Sequence, residues 1–176
     1  NVKPIKEEKI NDKIIKSINI IFKKECKVID FDLDIIDKKF FSESEKLLPN
    51  NNYVGFSITQ GNVYRKKEWP LEKIVEICNE IIKENKVPVF FIEKKNKELK
   101  NKISSLLPSA LFPEHESEIS SPALVTCLAK RLKFAISIDN GVMHMLSLSK
   151  VPIISLFGPT NSKKFAPEYK NCTALD

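Results

Sequence analysis

Cysteine pairs at metal-binding spacing are missing from this sequence. Its four cysteines stand far apart and form no Cys-x-x-Cys pair: Cys26, Cys78, Cys127 and Cys172. This spacing argues against a zinc cluster and favours reduced thiols in a cytosolic protein. The sequence also has no apolar run of membrane-spanning length and no signal peptide. Together these absences predict a cytoplasmic protein.

A basic surface interleaved with aromatic side chains is missing as well. The chain carries 29 Lys and Arg against 23 Asp and Glu, a net charge of +6, but the lysines are scattered among acids along its whole length. Proteins that bind nucleic acids concentrate positive charge in a patch and stack bases on aromatic rings. We therefore expect no nucleic-acid partner. With 176 residues, 42% of them hydrophobic, the chain can bury the core of one domain with an appendage.

Most of the chain alternates apolar runs of strand length with amphipathic segments of helix length. The predicted strands are 53–59, 87–92, 134–138 and 153–157, with a shorter one at 110–112, and the predicted helices are 71–82, 95–107, 122–130 and 142–149. Pro70 suits the first turn of the helix that follows it. We interpret residues 161–176 as a loop with a short strand. This alternation predicts an α/β fold, a parallel sheet with helices on both faces.

The amino-terminal part has a different pattern. Isoleucines recur at steps of three and four, which predicts one apolar face of a helix within residues 1–24: Ile10, Ile14, Ile18 and Ile21. Between residues 29 and 35, apolar residues alternate with Asp30, Asp32 and Asp34, which predicts a half-exposed strand with its acids in solvent. The triplet resembles a calcium loop, but Ile35 stands where that loop requires glycine. A metal-binding Asp-x-Asp of the kind found in some sugar transferases is the alternative.

Residues 42–52 contain serines, glutamates, Pro49 and three consecutive asparagines. This composition predicts a loop or linker, and we place the domain boundary there. Residues 1–48 are then a linker helix and strand, and residues 49–176 form the main domain.

Two predicted strand ends carry residues suited to a phosphate. The strand that ends at Thr59 leads to a loop with Lys67, and the strand 134–138 leads to Asp139 and to a helix opening at Gly141. Asn140 and Gly141 tolerate positive φ, so they predict a tight turn. The carboxyl ends of parallel strands meet at one edge of a sheet, so a cation and a helix start would face one cleft. The alternative is that Asn140 is only a helix cap.

At these residues the chain resembles glycosyltransferase family 9, the lipopolysaccharide heptosyltransferases. The motifs that carry the resemblance are Gly55-Phe56-Ser57, Lys67 before Trp69-Pro70, Asp139-Asn140-Gly141 with His144, and Phe157-Gly158-Pro159-Thr160. Family members have K-x-W-P, D-[ST]-G-x-x-H and F-G-P-T in the same order, and the resemblance covers about residues 25–170. Asn140 replaces the usual Ser or Thr and keeps a capping side chain.

The resemblance implies a Rossmann-like domain, the carboxyl-terminal half of a GT-B glycosyltransferase, which binds an ADP-heptose-like donor. Lys67 would contact the donor phosphates, Asp139 with the turn after it would hold the phosphate and sugar end, and Glu98 or Glu93 would bind the ribose. The donor-binding residues implied are Ser57, Thr59, Lys67, Glu98, Asp139, Asn140, Gly141, His144, Gly158 and Thr160. For His144, packing or capping is the expected role.

The same resemblance implies that this chain carries no catalytic residue, because the family's general base lies in the amino-terminal domain. No metal or other cofactor is expected, since Lys67 and the helix start would stabilise the diphosphate. The implied partners are a nucleotide-diphosphate sugar and, through the other domain, a lipopolysaccharide-type glycan or lipid-linked acceptor, with peripheral membrane association at the inner face. The alternatives are a non-catalytic nucleotide-binding module and a sugar-nucleotide epimerase of the same fold. The epimerase would need a catalytic histidine, and only His115 and His144 are present.

Overall fold

A five-stranded parallel sheet forms the centre of the protein. The structure is a computed structural model, and it describes residues 9–27, 30–60 and 68–176. The strands are β1 (Tyr53–Ser57), β2 (Val87–Phe90), β3 (Leu132–Ile138), β4 (Ile153–Leu156) and β5 (Cys172–Leu175). Their order in the sheet is β2-β1-β3-β4-β5, with every neighbouring pair parallel. The predicted parallel α/β fold is confirmed.

Helices cover both faces of this sheet. The α-helices of the described residues are α1 (Ile10–Phe22), α2 (Lys38–Leu47), α3 (Leu71–Lys83), α4 (Lys97–Leu106), α5 (Pro113–Glu116), α6 (Pro122–Ala129), α7 (Gly141–Leu148) and α8 (Ser162–Phe165), and α1 buries none of its residues. On one face, α6 and α7 bury residues such as Leu128 and Leu146 in a first core. On the other face, α3 and α4 bury Ile74 and Ile103 in a second core. None of the described helices is long and apolar enough to cross a membrane.

The helix α3 shows how the apolar pattern produces this packing. Ile74, Cys78 and Ile81 recur at helical spacing, and all three are buried against the sheet. Burial of the Cys78 thiol raises its pKa to about 12, so this cysteine stays protonated and unreactive. Pro70 precedes the helix as its N-cap residue, close to the position expected. Trp69 is partly buried against the same core.

The predicted strand over residues 29–35 is wrong. A short 3-10 helix, Leu33–Ile35, forms instead, and the Asp32 carboxylate accepts a hydrogen bond of 2.9 Å from the backbone N–H of Asp34. An aspartate that bonds its own backbone in this way favours a turn over a strand ladder. Asp30 is exposed and forms an ion pair of 2.8 Å with Lys150. Residues 28 and 29 lie outside the described residues.

The loop predicted for residues 42–52 is a helix over its first half. The helix α2 extends to Leu47, and Asp37 caps its start by accepting a 3.0 Å hydrogen bond from Lys39. It packs against α6, and Leu48, which follows it, is fully buried in the first core. Tertiary packing therefore overrides a polar composition here. The domain division at residues 48 and 49 stays a prediction.

The two ends of the chain show smaller differences. The helix α1 forms as predicted, yet Ile14 and Ile21 on its apolar face are 51% and 71% exposed. At the other end, β5 is the short strand expected, while the four-residue helix α8 has no clear sequence signal. The short strand predicted at 110–112 is a single bridge between Leu111 and Val89.

Candidate functional site

A cleft of about 270 Å³ opens at the carboxyl edge of the sheet. It lies between the segment after β1, the segment after β2 and the start of α7. The residues that line it are Thr59, Gln60, Glu93, Lys95, Asn96, Asn140, Gly141, Val142 and Met145. Ligands of open parallel α/β sheets bind at this edge, beyond the carboxyl ends of the strands. The structure therefore brings two of the predicted segments, after β1 and after β3, to one site.

Asn140 connects these two segments. Its side-chain oxygen accepts a 2.9 Å hydrogen bond from the backbone N–H of Met143, which makes it the N-cap of α7. Its side-chain nitrogen donates to the Ser57 hydroxyl oxygen at 2.8 Å and to the Thr59 carbonyl at 2.9 Å. The capping role expected of Asn140 is confirmed, and the contacts to β1 were not expected. Ser57 is fully buried beneath them.

The start of α7 has the geometry of an anion site. The first N–H groups of a helix have no acceptor within the helix, and Asn140 satisfies only that of Met143. The N–H groups of Gly141 and Val142 are left at the positive end of the helix dipole, at the edge of the cleft. A Cβ atom on Gly141 would meet no atom within 4 Å, so the glycine leaves its backbone open to the cleft.

The turn before α7 differs from the one predicted. Asn140 has a φ of −148°, and no glycine among the described residues has a positive φ. The residues thus adopt an ordinary extended cap geometry, and the expected need for positive φ is wrong. Gly141 contributes open space rather than an unusual backbone conformation.

A second hydrogen bond joins β3 to the segment after β4. The Thr160 hydroxyl donates to the buried Asp139 carboxylate at 2.6 Å. Gly158 is exposed nearby in sequence, and a side chain there would also enter open space. The Asp139 and Thr160 motifs, twenty-one residues apart, are therefore brought into direct contact.

His144 lies on α7 with its side chain exposed rather than packed in the core. Partial desolvation lowers the pKa of its ring, while the Asp139 carboxylate acts in the opposite direction. A pKa below the ordinary value leaves the imidazole neutral at pH 7. His144 is therefore close enough to Asp139 for their charges to interact, but it is not among the residues that line the cleft.

The two glutamates considered for the ribose lie at different distances from the cleft, and their role stays a prediction. Glu93 lines the cleft and forms an ion pair of 2.5 Å with Lys95. Glu98 is exposed in the first turn of α4 and is not among the residues that line the cleft. The structure therefore brings Glu93, not Glu98, to the site. Asn96, the N-cap of α4, lies beside it.

Several residues of the cleft were missed by sequence reasoning. Gln60 lies three residues after β1, and Lys95 and Asn96 lie five and six residues after β2, so their position in the segment after a strand was the available signal. Val142 and Met145 are one turn apart on α7 and give the cleft an apolar wall. Lys67, predicted to contact the phosphates, lies outside the described residues, as does the whole segment 61–67.

A larger groove of about 820 Å³ lies at the opposite, amino edge of the sheet. It is an open surface lined by residues such as Asn51, Asn85 and Arg131. The Arg131 guanidinium already donates hydrogen bonds to the carbonyls of Leu48 and Pro49, at 3.0 and 2.9 Å. No helix start is among its lining residues, so the smaller cleft is the better candidate for an anionic ligand.

Metal ligands are not grouped in the part of the chain that the structure describes. Within it, no three His, Cys, Asp or Glu side chains lie close enough together to hold a metal ion. The aspartate triplet at 30–34 is exposed and makes the turn and ion-pair contacts given above.

Comparison with solved structures identifies related folds. A glycosyl transferase family 9 protein from Veillonella parvula matches 97% of this chain with a TM-score of 0.79 at 17% identity. E. coli ADP-heptose lps heptosyltransferase II matches 80% with a TM-score of 0.66 at 19% identity, and E. coli heptosyltransferase WaaC with ADP matches 74% with a TM-score of 0.61 at 18% identity. The chain spans 50%, 44% and 41% of these three proteins, about half of their length.

Sequence comparison supports the same relationship. A comparison with curated proteins gives no match. The model of glycosyltransferase family 9 (heptosyltransferase) matches residues 22–176, which include every strand of the sheet and all residues of the cleft. The chain therefore belongs to glycosyltransferase family 9, the heptosyltransferase family.

Proposed function

We propose that this chain is the donor-binding half of a glycosyltransferase and that it binds an ADP-heptose-like nucleotide sugar at the cleft. The observation that carries this proposal is the start of α7, where the N–H groups of Gly141 and Val142 border the cleft without a side chain in the way. A diphosphate is the group that such a helix start recognises best, through hydrogen bonds and the helix dipole.

The other residues of the cleft suit the rest of the nucleotide. Glu93 offers a carboxylate for the hydroxyls of a ribose, at the end of β2. A second cleft of about 570 Å³ adjoins the first and shares Thr59, Gln60 and Asn96 with it. Together the two clefts offer more than the 300 Å³ at which small-molecule sites begin, which is enough for a nucleotide. E. coli heptosyltransferase WaaC, whose fold is similar, has been solved with ADP.

Chemically, this half would stabilise the leaving group. As the bond between the sugar and the diphosphate breaks, negative charge develops on the phosphate oxygens. The helix start, with Lys67 as the expected cation, would stabilise that charge without a metal ion. The carboxylate of Asp139, held by Thr160, would border the phosphate and sugar end.

The acceptor would be bound elsewhere. The related structures are about twice as long as this chain, so the general base and the acceptor site are expected in a second half of the enzyme. We propose a lipopolysaccharide-type or lipid-linked glycan as acceptor, in the cytoplasm at the inner face of the membrane. A non-catalytic nucleotide-binding module is the second candidate, because the chain spans only half of its relatives.

Titration of the chain with ADP, adenosine and inorganic pyrophosphate by isothermal calorimetry tests the proposal. ADP should bind, adenosine should bind at least tenfold more weakly, and pyrophosphate should compete with ADP. Equal affinity for ADP and adenosine would show that the helix start does not hold a phosphate. Transfer of heptose by the chain joined to a second domain would distinguish the enzyme from the non-catalytic module.

A further inference from the structure

Asn140 makes three hydrogen bonds that span two segments of the cleft. Its oxygen accepts from Met143 within α7, and its nitrogen donates to Ser57 and Thr59 at the end of β1. The partners on β1 are 83 and 81 residues away in sequence. Asn140 is thus both a helix cap and a cross-link between two strand ends.

The orientation of the amide follows from its partners. The backbone N–H of Met143 is a donor only, so it must face the Asn140 oxygen. The carbonyl of Thr59 is an acceptor only, so it must face the NH₂ group. Both assignments agree, and no other orientation of the amide satisfies both partners.

The cross-link joins two neighbouring walls of the cleft. Thr59 and Gln60 form one wall, and Gly141 and Val142 form the other. Asn140 is adjacent to the second wall in sequence and is bonded to the first. Beyond the point where β1 and β3 pair, at Ser57 and Ser137, the Asn140 side chain therefore links the Thr59 carbonyl to the start of α7.

A shorter capping residue could not do both tasks. Serine is as good an N-cap as asparagine, but its hydroxyl ends one atom beyond Cβ and replaces the whole amide with a single oxygen. Serine at position 140 would keep the bond to Met143 and leave the Thr59 carbonyl and the Ser57 hydroxyl without the Asn140 donor. The cap and the cross-link can thus be separated by one substitution.

We propose that Asn140 is a positioning residue that holds the end of β1 at the distance from α7 that the diphosphate requires. This inference rests on the proposed function of the cleft. Asn140 acts through the backbone of Thr59 and the start of α7, and both donors of its amide are taken up by protein groups. Loss of the cross-link leaves the helix start intact and lets the first wall move away from it.

Two measurements on one set of variants test the proposal. The set contains Asn140→Ser, Ser57→Ala, the double variant of these two, and Asp37→Ser as a matched exchange of another N-cap outside the cleft. Thermal unfolding of the parent and of the first three variants completes a double-mutant cycle. This cycle measures the coupling free energy between Asn140 and Ser57 without any ligand. Calorimetric titration with ADP measures its consequence for binding.

Asn140→Ser should fold and should raise the Kd of ADP about tenfold, because two hydrogen bonds that order the site are lost. Asp37→Ser should leave the Kd unchanged. Ser57→Ala should lower the melting temperature of the parent but have a smaller effect in the Asn140→Ser background. If Asn140→Ser does not fold, Asn140→Thr replaces it, and Ser57→Ala alone should still weaken ADP binding.

Two results would overturn the proposal in different ways. Additive effects in the unfolding cycle would show that the bond between Asn140 and Ser57, one of the two that form the cross-link, does not exist in solution. Equal Kd values for the parent and Asn140→Ser would show that the cross-link does not position the site. If the parent itself does not bind ADP, the proposed function fails and the positioning role with it, whatever the unfolding cycle gives.

Discussion

Substitution of Gly141 by alanine should make the protein more stable and its nucleotide site weaker. The residue is the first of α7, and a Cβ atom there would meet no atom within 4 Å. Its φ is not positive, so alanine adopts the same conformation without strain. Replacing a glycine at such a position raises the free energy of unfolding by about 0.4–1 kcal/mol, because the unfolded chain loses conformational freedom.

For a domain of this size, that gain corresponds to a rise in the melting temperature of roughly 1–4 °C. The same methyl group projects into the space from which a phosphate would approach the Gly141 N–H. Loss of one hydrogen bond to a charged ligand costs about 1.5–3 kcal/mol, which is a tenfold to hundredfold increase in the Kd of ADP. Stability and affinity should therefore change in opposite directions.

Differential scanning calorimetry with and without ADP measures both effects on one sample. Gly55→Ala is the contrasting control, because its Cβ would lie 2.6 Å from a methyl carbon of Leu132 and should destabilise the sheet. If Gly141→Ala is stabilised but binds ADP as tightly as the parent, the phosphate does not lie at the start of α7. If it is destabilised, the description of the helix start is wrong.

Three further substitutions test other parts of the account. Lys67→Ala should weaken ADP binding by about 1.5–3 kcal/mol, and this loss should be smaller in high salt. Calorimetry at two ionic strengths measures both effects. A loss of binding that is absent, or that does not depend on salt, would contradict a contact between Lys67 and a phosphate. Glu93→Gln should weaken the binding of ADP but not of pyrophosphate, because Glu93 lines the cleft. Glu98→Gln should change the binding of neither ligand. If Glu98→Gln weakens ADP binding and Glu93→Gln does not, Glu98 is the ribose ligand. Burial and the nearby Glu93 raise the pKa of the Glu114 carboxyl above its ordinary 4.5, so the folded state retains a proton that the unfolded state releases. The free energy of unfolding should thus fall as pH rises above about 4.5. Urea denaturation at several pH values should show a smaller fall for Glu114→Gln than for the parent. The same pH dependence in both proteins would contradict a raised pKa of the Glu114 carboxyl.

The sheet and its helices were predictable because their apolar patterns are strong and regular. Residues 71–82 carry a clean helical face, and the run 134–138 is bounded by Asp139 and a glycine. The positions of these strands and helices depend on local periodicity, which can be read directly from the sequence.

The structure differs from the sequence-based predictions where a polar side chain or a contact distant in sequence determines the backbone conformation. Asp32 bonds its own backbone and replaces an expected strand by a turn. The helix α2 forms from a polar segment because it packs on α6, more than seventy residues later in sequence. Residue types alone do not show whether Asp32 forms a turn or part of a strand, or whether the segment of α2 forms a helix or a loop.

The same limit applies to the candidate site. Asp139, Asn140 and Gly141 were identifiable from the strand that precedes them and the helix that follows. The bonds from Asn140 to Ser57 and Thr59, and the position of Glu93 rather than Glu98 at the cleft, depend on how far strand ends lie from each other in space. The spacing of residues in the sequence does not determine the distance between two strand ends.

We propose above that a nucleoside diphosphate binds at the start of α7. Titration of the ¹⁵N-labelled chain with ADP, followed by two-dimensional NMR, tests it most directly. We predict that the largest changes in amide chemical shift occur at Gly141 and Val142, with smaller ones at Thr59, and that amides of the groove at the amino edge, such as those of Asn51 and Leu111, change little. Largest changes in that groove, or none at Gly141 and Val142 at saturating ADP, would contradict the account.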